Sequence, residues 1–122
     1  MRAFLIGGGR DPDRTRAAHE PFVAAAGPGG PITALVLDEG EATDVDRWAT
    51  TLAAAGAGDV RVRVVARGRP PTPGDVAGAA GVYVAGGWTP GYHDALVADG
   101  TAWLQAARAA GAVYGGFSAG CA

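Results

Sequence analysis

The sequence predicts an α/β domain built on a mostly parallel, five-stranded sheet with helices packed on its two sides. Three observations carry that prediction. Short apolar runs alternate with helical patterns, most of the runs stop at glycine or aspartate, and the connections are long enough for crossovers between parallel strands. The 122 residues, 48% apolar and 18% charged, amount to one globular domain. A flavodoxin-like sheet of five strands closes at this length.

The elements come in chain order. Ala3-Phe4-Leu5-Ile6 is a buried strand that ends at Gly7-Gly8-Gly9. Asp11-Pro12 is an N-cap followed by proline at the first helical position, and the helix runs to about Ala26, with Gly27 as its stop. Ile32 to Leu37 is the second strand, closed by Asp38 as a turn former. Thr43-Asp44-Val45-Asp46 resembles a capping box, and Val45, Trp48 and Leu52 share a face of the next helix. Val60-Arg61-Val62-Arg63-Val64 alternates as an edge strand with one wet face does. A proline-rich connection then leads to Thr72-Pro73-Gly74-Asp75, which opens a short helix. Gly81 to Val84 is the fourth strand, running into Ala85-Gly86-Gly87-Trp88-Thr89-Pro90. Two helices, Tyr92 to Ala98 and Thr101 to Ala110, separate it from the fifth strand, Ala112-Val113-Tyr114, which enters Gly115-Gly116-Phe117-Ser118-Ala119-Gly120.

Composition excludes several function classes. All ten basic residues are arginine, and the formal net charge of -2 argues against a phosphate-backbone binder, so no nucleic acid partner is expected. One cysteine, Cys121, excludes a disulfide framework and a paired-cysteine metal or redox site. No apolar stretch approaches the roughly 18 residues of a membrane span. The first residues show neither a long apolar segment nor a small-residue cleavage site. The expected compartment is the cytoplasm.

The residues with chemistry to offer lie at strand ends. Gly116-Phe117-Ser118-Ala119-Gly120 is a G-x-S-x-G pattern where a strand gives way to a helix. A serine on such a sharp turn projects its hydroxyl above the sheet. The flanking glycines let neighbouring backbone approach, and the N–H of Ala119 points at a developing oxyanion. The bland reading is a glycine-rich turn that happens to contain serine. Gly86-Gly87-Trp88-Thr89 lies at the carboxyl end of another strand, where α/β sheets place ligands, and Gly87 offers a second oxyanion N–H. Gly7-Gly8-Gly9-Arg10 is not a dinucleotide fingerprint, because G-x-G-x-x-G fails at its last position. His19 reads as an exposed helix residue and His93 as a solvated residue at a helix start. His19, His93 and Cys121 are too scattered for a metal set. Cys121, in the first turn after the serine, reads as a small side chain packed beneath the elbow.

Together these signals resemble the peptidase E/cyanophycinase family of serine peptidases, which share a sheet like that of the class I glutamine amidotransferases. The resemblance rests on Gly7-Gly8-Gly9, on Gly86-Gly87-x-Thr89 and on Gly116-x-Ser118-Ala119-Gly120 in that order, and it spans the N-terminal half to two-thirds of a family member. It implies Ser118 as nucleophile, the N–H groups of Gly87 and Ala119 as oxyanion hole, and Gly86, Trp88 and Thr89 as substrate pocket. It also implies no cofactor, and a small peptide or amide as substrate. Trp88 departs from the family's usual Asn or Asp, which reshapes any pocket for aspartyl substrates. The family's base histidine and its acidic partner lie downstream of the elbow, beyond Ala122. The expected domain is therefore incomplete at its C-terminus: a fragment or split enzyme whose partner is the remaining segment, an ordered part of a longer chain, or a catalytically dead relative. An oligomer stays open. The alternative to a peptidase is a non-catalytic binding module using the same glycine-lined crevice. A cysteine amidotransferase is disfavoured, since Cys121 lies three residues past the elbow.

Overall fold

The computed structural model describes residues 1–27 and 29–121. Five strands, β1 (Ala3–Ile6), β2 (Ile32–Leu37), β3 (Val60–Val65), β4 (Gly81–Val84) and β5 (Val113–Phe117), form one all-parallel sheet in the order β1-β5-β4-β2-β3. From its other edge the order is 3-2-4-5-1. That is the flavodoxin order 2-1-3-4-5 with the chain's first strand moved into the place of the last. β3 sits at an edge, as its alternation predicts. Its wet face is incomplete, because Arg63 is half-buried against Asp75.

Helices α1 (Pro12–Ala26) and α2 (Val45–Ala54) pack on one face, and α3 (Pro73–Val76), α4 (Thr89–Leu96) and α5 (Ala102–Ala109) lie on the other. Strand alternation explains the division. On β4 and β5, Tyr83 and Phe117 point toward Phe22 and Trp48, with ring centroids 5.9 Å apart for Phe22–Tyr83 and 5.3 Å for Trp48–Phe117. Val84 and Tyr114 point the other way, toward Leu96 and Trp103. Both faces of the inner strands are therefore covered, and β2 and β4 are buried at every residue.

The caps hold as chemistry requires, with one shift. Asp11 Oδ1 accepts from the N–H groups of Asp13 (3.0 Å) and Arg14 (3.1 Å). Thr72 and Asp75 form a reciprocal capping box on α3. On α2 the cap is Asp44, which accepts from the Arg47 N–H at 3.0 Å. Thr43 is drawn off to the preceding 3₁₀ turn (Gly40–Ala42), where its hydroxyl accepts from the Glu39 N–H at 2.6 Å.

Two further expectations need correction. β5 continues through Gly115, Gly116 and Phe117 to the serine, and the chain then enters a 3₁₀ turn, Ser118–Cys121. The glycines suit the strand because each leaves room for a neighbour: a Cβ on Gly115 would come within 2.8 Å of the Phe22 ring, and one on Gly116, on the other face, would overlap the Gly120 carbonyl. His19 is fully buried, not exposed. Its Nδ1 lies 2.6 Å from the Thr15 carbonyl and its Nε2 2.8 Å from the Tyr83 hydroxyl. Since a carbonyl only accepts, Nδ1 carries the proton and Nε2 accepts from Tyr83. Burial pushes its pKa down, against the Thr15 hydrogen bond. The readings placed on the Cys121 side chain and on Ala122 lie outside the described residues.

Candidate functional site

The carboxyl ends of β1, β2, β4 and β5 open onto one crevice of about 460 Å3. Its position follows from topology. The connection after β2 leads outward to β3, whereas the one after β4 leads back to β5, so the loops diverge and leave a gap between these neighbouring strands.

Ser118 lines this crevice from the end of β5, on the far side of β4 from that gap. Its φ of 52° makes it the one non-glycine residue with positive φ among the described residues. Left-handed backbone costs an L-residue about 1–2 kcal/mol, so the surrounding turn must impose it. The two motif glycines show how. The turn folds back until the Gly120 carbonyl lies on the Cα of Gly116, where a Cβ would overlap it, and a Cβ on Gly120 would overlap the Val84 carbonyl of β4. Tyr114 secures the turn by donating its hydroxyl to the Gly120 carbonyl at 2.6 Å. Between two buried glycines, Ser118 itself is exposed.

Three loops complete the walls. Gly8, after β1, places its Cα hydrogens beside the hydroxyl: a Cβ there would be 3.9 Å from Ser118 Oγ. After β4, Gly86 admits the Phe117 ring, which a Cβ would meet at 2.8 Å. Tyr92 fixes this loop to β2, donating to the Gly86 carbonyl (3.2 Å) while accepting from the Leu37 N–H (3.1 Å). Burial pushes the Tyr92 hydroxyl up to about 12, the nearby Glu39 charge adding to the rise and the Leu37 N–H opposing it. After β2, Asp38 accepts from the Gly40 N–H (2.9 Å) and pairs with Arg69 (2.6 Å). These contacts hold its carboxyl below the usual range, the Gly40 bond first.

Two crevice residues carried no signal as chemistry in the sequence. Glu39 Oε1 accepts from the Trp88 N–H at 3.1 Å, and its carboxylate lies where a Cβ on Gly87 would be. Arg47 lays its guanidinium 4.4 Å from the centroid of Trp48 and 5.9 Å from that of Phe117. It is the only arginine among the described residues that is not exposed and lacks a carboxylate within ion-pair distance.

The expected site residues divide. Ser118, Gly86 and Gly87 line the crevice together. The backbone of Ala119 continues from Ser118 into the 3₁₀ turn. Thr89 lines a different depression, an apolar groove between β1, α4 and α5 that it shares with His93 and Gly120. Trp88 is 65% exposed and covers Gly91, whose Cβ would be 2.8 Å from the indole. Neither histidine lines the crevice: both nitrogens of His19 are engaged in the core, and His93, in the second turn of α4, has an exposed side chain 3.9 Å from Asp94. Among the described residues no cluster of His, Cys, Asp and Glu could hold a metal ion, and no helix is long and apolar enough to cross a membrane. The chain matches no protein-family model and no curated protein sequence.

Proposed function

We propose that this chain carries the nucleophile and oxyanion hole of a cytoplasmic serine peptidase or amidohydrolase resembling peptidase E, on a sheet like that of the class I glutamine amidotransferases. One observation supports it above the rest: an exposed serine, held at φ 52° by two glycines that tolerate no Cβ, at the mouth of a crevice. In this reading Ser118 Oγ attacks an amide carbonyl carbon and gives its proton to a histidine. The oxyanion accepts from the N–H groups of Gly87 and Ala119. The C–N bond breaks as the histidine protonates the leaving amine, and water then hydrolyses the acyl-enzyme by the same route.

That histidine comes from polypeptide outside this chain, either a continuation of the domain or a separate chain. The apolar groove supports such a partner. It is lined by Leu5 (64% exposed), Val97, Leu104 and Gly120, so polypeptide continuing from the 3₁₀ turn starts at its wall. The unpaired Arg47 favours substrates with a carboxylate, of which Asp-X dipeptides are the simplest. In the complete enzyme, Ser118→Ala abolishes dipeptide hydrolysis while circular dichroism stays unchanged; undiminished turnover overturns the assignment. A serine-directed covalent probe separates this reading from a binding module using the same crevice. Stoichiometric labelling of Ser118 marks the enzyme, and its absence marks the module.

A further inference from the structure

We infer that the loop after β1, Gly7-Gly8-Gly9-Arg10, acts with Arg47 to hold the phosphate group of a small ligand, either free phosphate or a phosphate monoester. The glycines give the first sign. At the crevice, Gly86 and Gly87 are hemmed in by side chains, and Gly9 has a φ of 149°. Gly7 and Gly8 have neither reason to be glycine. Nothing lies within 4 Å of a Cβ on Gly7, and a Cβ on Gly8 meets only the Ser118 side chain, at 3.9 Å. Such residues cost the fold chain entropy and leave room for the backbone to meet something from outside the chain. The N–H groups of Gly8, Gly9 and Arg10 make no hydrogen bond to the described residues.

Two cations share the place. Neither Arg10 nor Arg47 has a carboxylate within 4.0 Å among the described residues. The pairing of Ile6 with Phe117 sets Gly8 beside Ser118, and Arg47 arrives from α2 with its guanidinium 5.9 Å from the Phe117 centroid. Gly9, Arg10, Arg47 and Phe117 line both the crevice and an adjoining trough of about 510 Å3 between α1 and α2. A carboxylate satisfies one guanidinium fork. Two guanidiniums beside a run of backbone donors match the three oxygens and second charge of a phosphate monoester. The α1 N-terminus is not the site, because Asp11 already accepts from the N–H groups of Asp13 and Arg14. The crevice carboxylates are turned to backbone. Glu39, which follows β2 three places across the sheet from β1, accepts from the Trp88 N–H, and Asp44 accepts from the Arg47 N–H.

The test uses the 122-residue chain at constant ionic strength, with inorganic phosphate, glycerol 3-phosphate and acetate as probes. Nuclear magnetic resonance follows the amides of Gly8, Gly9 and Arg10. Both phosphates are expected to shift these amides and to bind about 10-fold tighter than acetate, or better. Tighter binding of glycerol 3-phosphate identifies the ester as ligand; equal or weaker binding identifies phosphate itself. Arg10→Gln and Arg47→Gln are each expected to weaken phosphate about 10-fold. Gly8→Ala is expected to weaken it as much while the denaturation midpoint holds or rises, since the new methyl group meets only an ordinary contact. Acetate bound as tightly as phosphate, amides that do not respond, or an affinity indifferent to both arginine substitutions each overturns the inference. So does a folded Gly8→Ala chain that binds phosphate unchanged. No turnover is read, so the outcome is separate from that of the peptidase reading. Phosphate binding with Ser118 inert to a covalent probe retires the enzyme and keeps the site; labelling without phosphate binding does the reverse.

Discussion

Ser118 and its two glycines form a unit whose parts respond differently to substitution. Gly116→Ala drives a Cβ into the Gly120 carbonyl, backbone against backbone, and is expected to cost about 2 kcal/mol or more in chemical denaturation. Ser118→Gly is expected to be more stable than Ser118→Ala by about 1 kcal/mol, because glycine adopts a φ of 52° without steric cost. Equal stability of those two variants removes the case for strain. Arg47→Met keeps an unbranched apolar side chain over Trp48 and loses only the charge. If the proposed peptidase reading holds, it is expected to lower kcat/KM for Asp-X dipeptides about 10-fold or more relative to neutral ones. At this level the sequence was legible where a pattern is local. The G-x-S-x-G spacing marks the turn. Glu39 gives no local sign, because the backbone it meets lies 49 residues away.

α1 is tied to the sheet by one polar contact within an apolar face. His19 stacks at 5.7 Å from Phe117, the residue before Ser118, and receives the Tyr83 hydroxyl. Tyr83→Phe leaves Nε2 buried without a donor and is expected to destabilise by about 1–3 kcal/mol. Burial lowers the His19 pKa, so below its ordinary value of about 6.5 the unfolded chain takes up a proton that the folded chain refuses. The His19 contribution is complete above that value and shrinks as pH falls through it toward the folded pKa. A denaturation series from pH 7.5 to 5 (the span in which an unperturbed histidine titrates) should show declining stability, with a shallower decline in His19→Phe. Strands β2 and β4 were legible to the residue, since runs that are apolar but for Thr33 suit a strand buried on both faces. The length of β5 was hidden because glycine is a poor strand former; it is tolerated here for the space it leaves Phe22. A histidine beside Glu20 and Pro21 likewise reads as surface, since its partner Tyr83 is 64 residues distant.

The fold class follows from the alternation of elements, but strand order does not, because periodicity says nothing about which parallel strands are neighbours. The consequence is visible along β1. It is an edge strand beside β5, and Ala3 and Leu5 line the apolar groove with Val97 and Leu104. The 122-residue chain is expected to enhance the fluorescence of an apolar dye such as anilinonaphthalene sulfonate, and Leu5→Arg combined with Val97→Glu to reduce it by half or more. An unchanged signal would place the dye elsewhere.

The pairing of Ala3 with Tyr114 has a kinetic meaning as well. On a ribosome, the first strand to emerge is the last that can find its seat. β2, β3 and β4 can associate while β1 trails unpaired, and only when β5 has cleared the exit tunnel is there an edge to receive it. The serine lies directly beyond that edge. A circular permutant that moves the first strand behind the 3₁₀ turn through a flexible linker would turn the most distant pairing in the sheet into a near one. It should refold faster, with the order of strands unchanged.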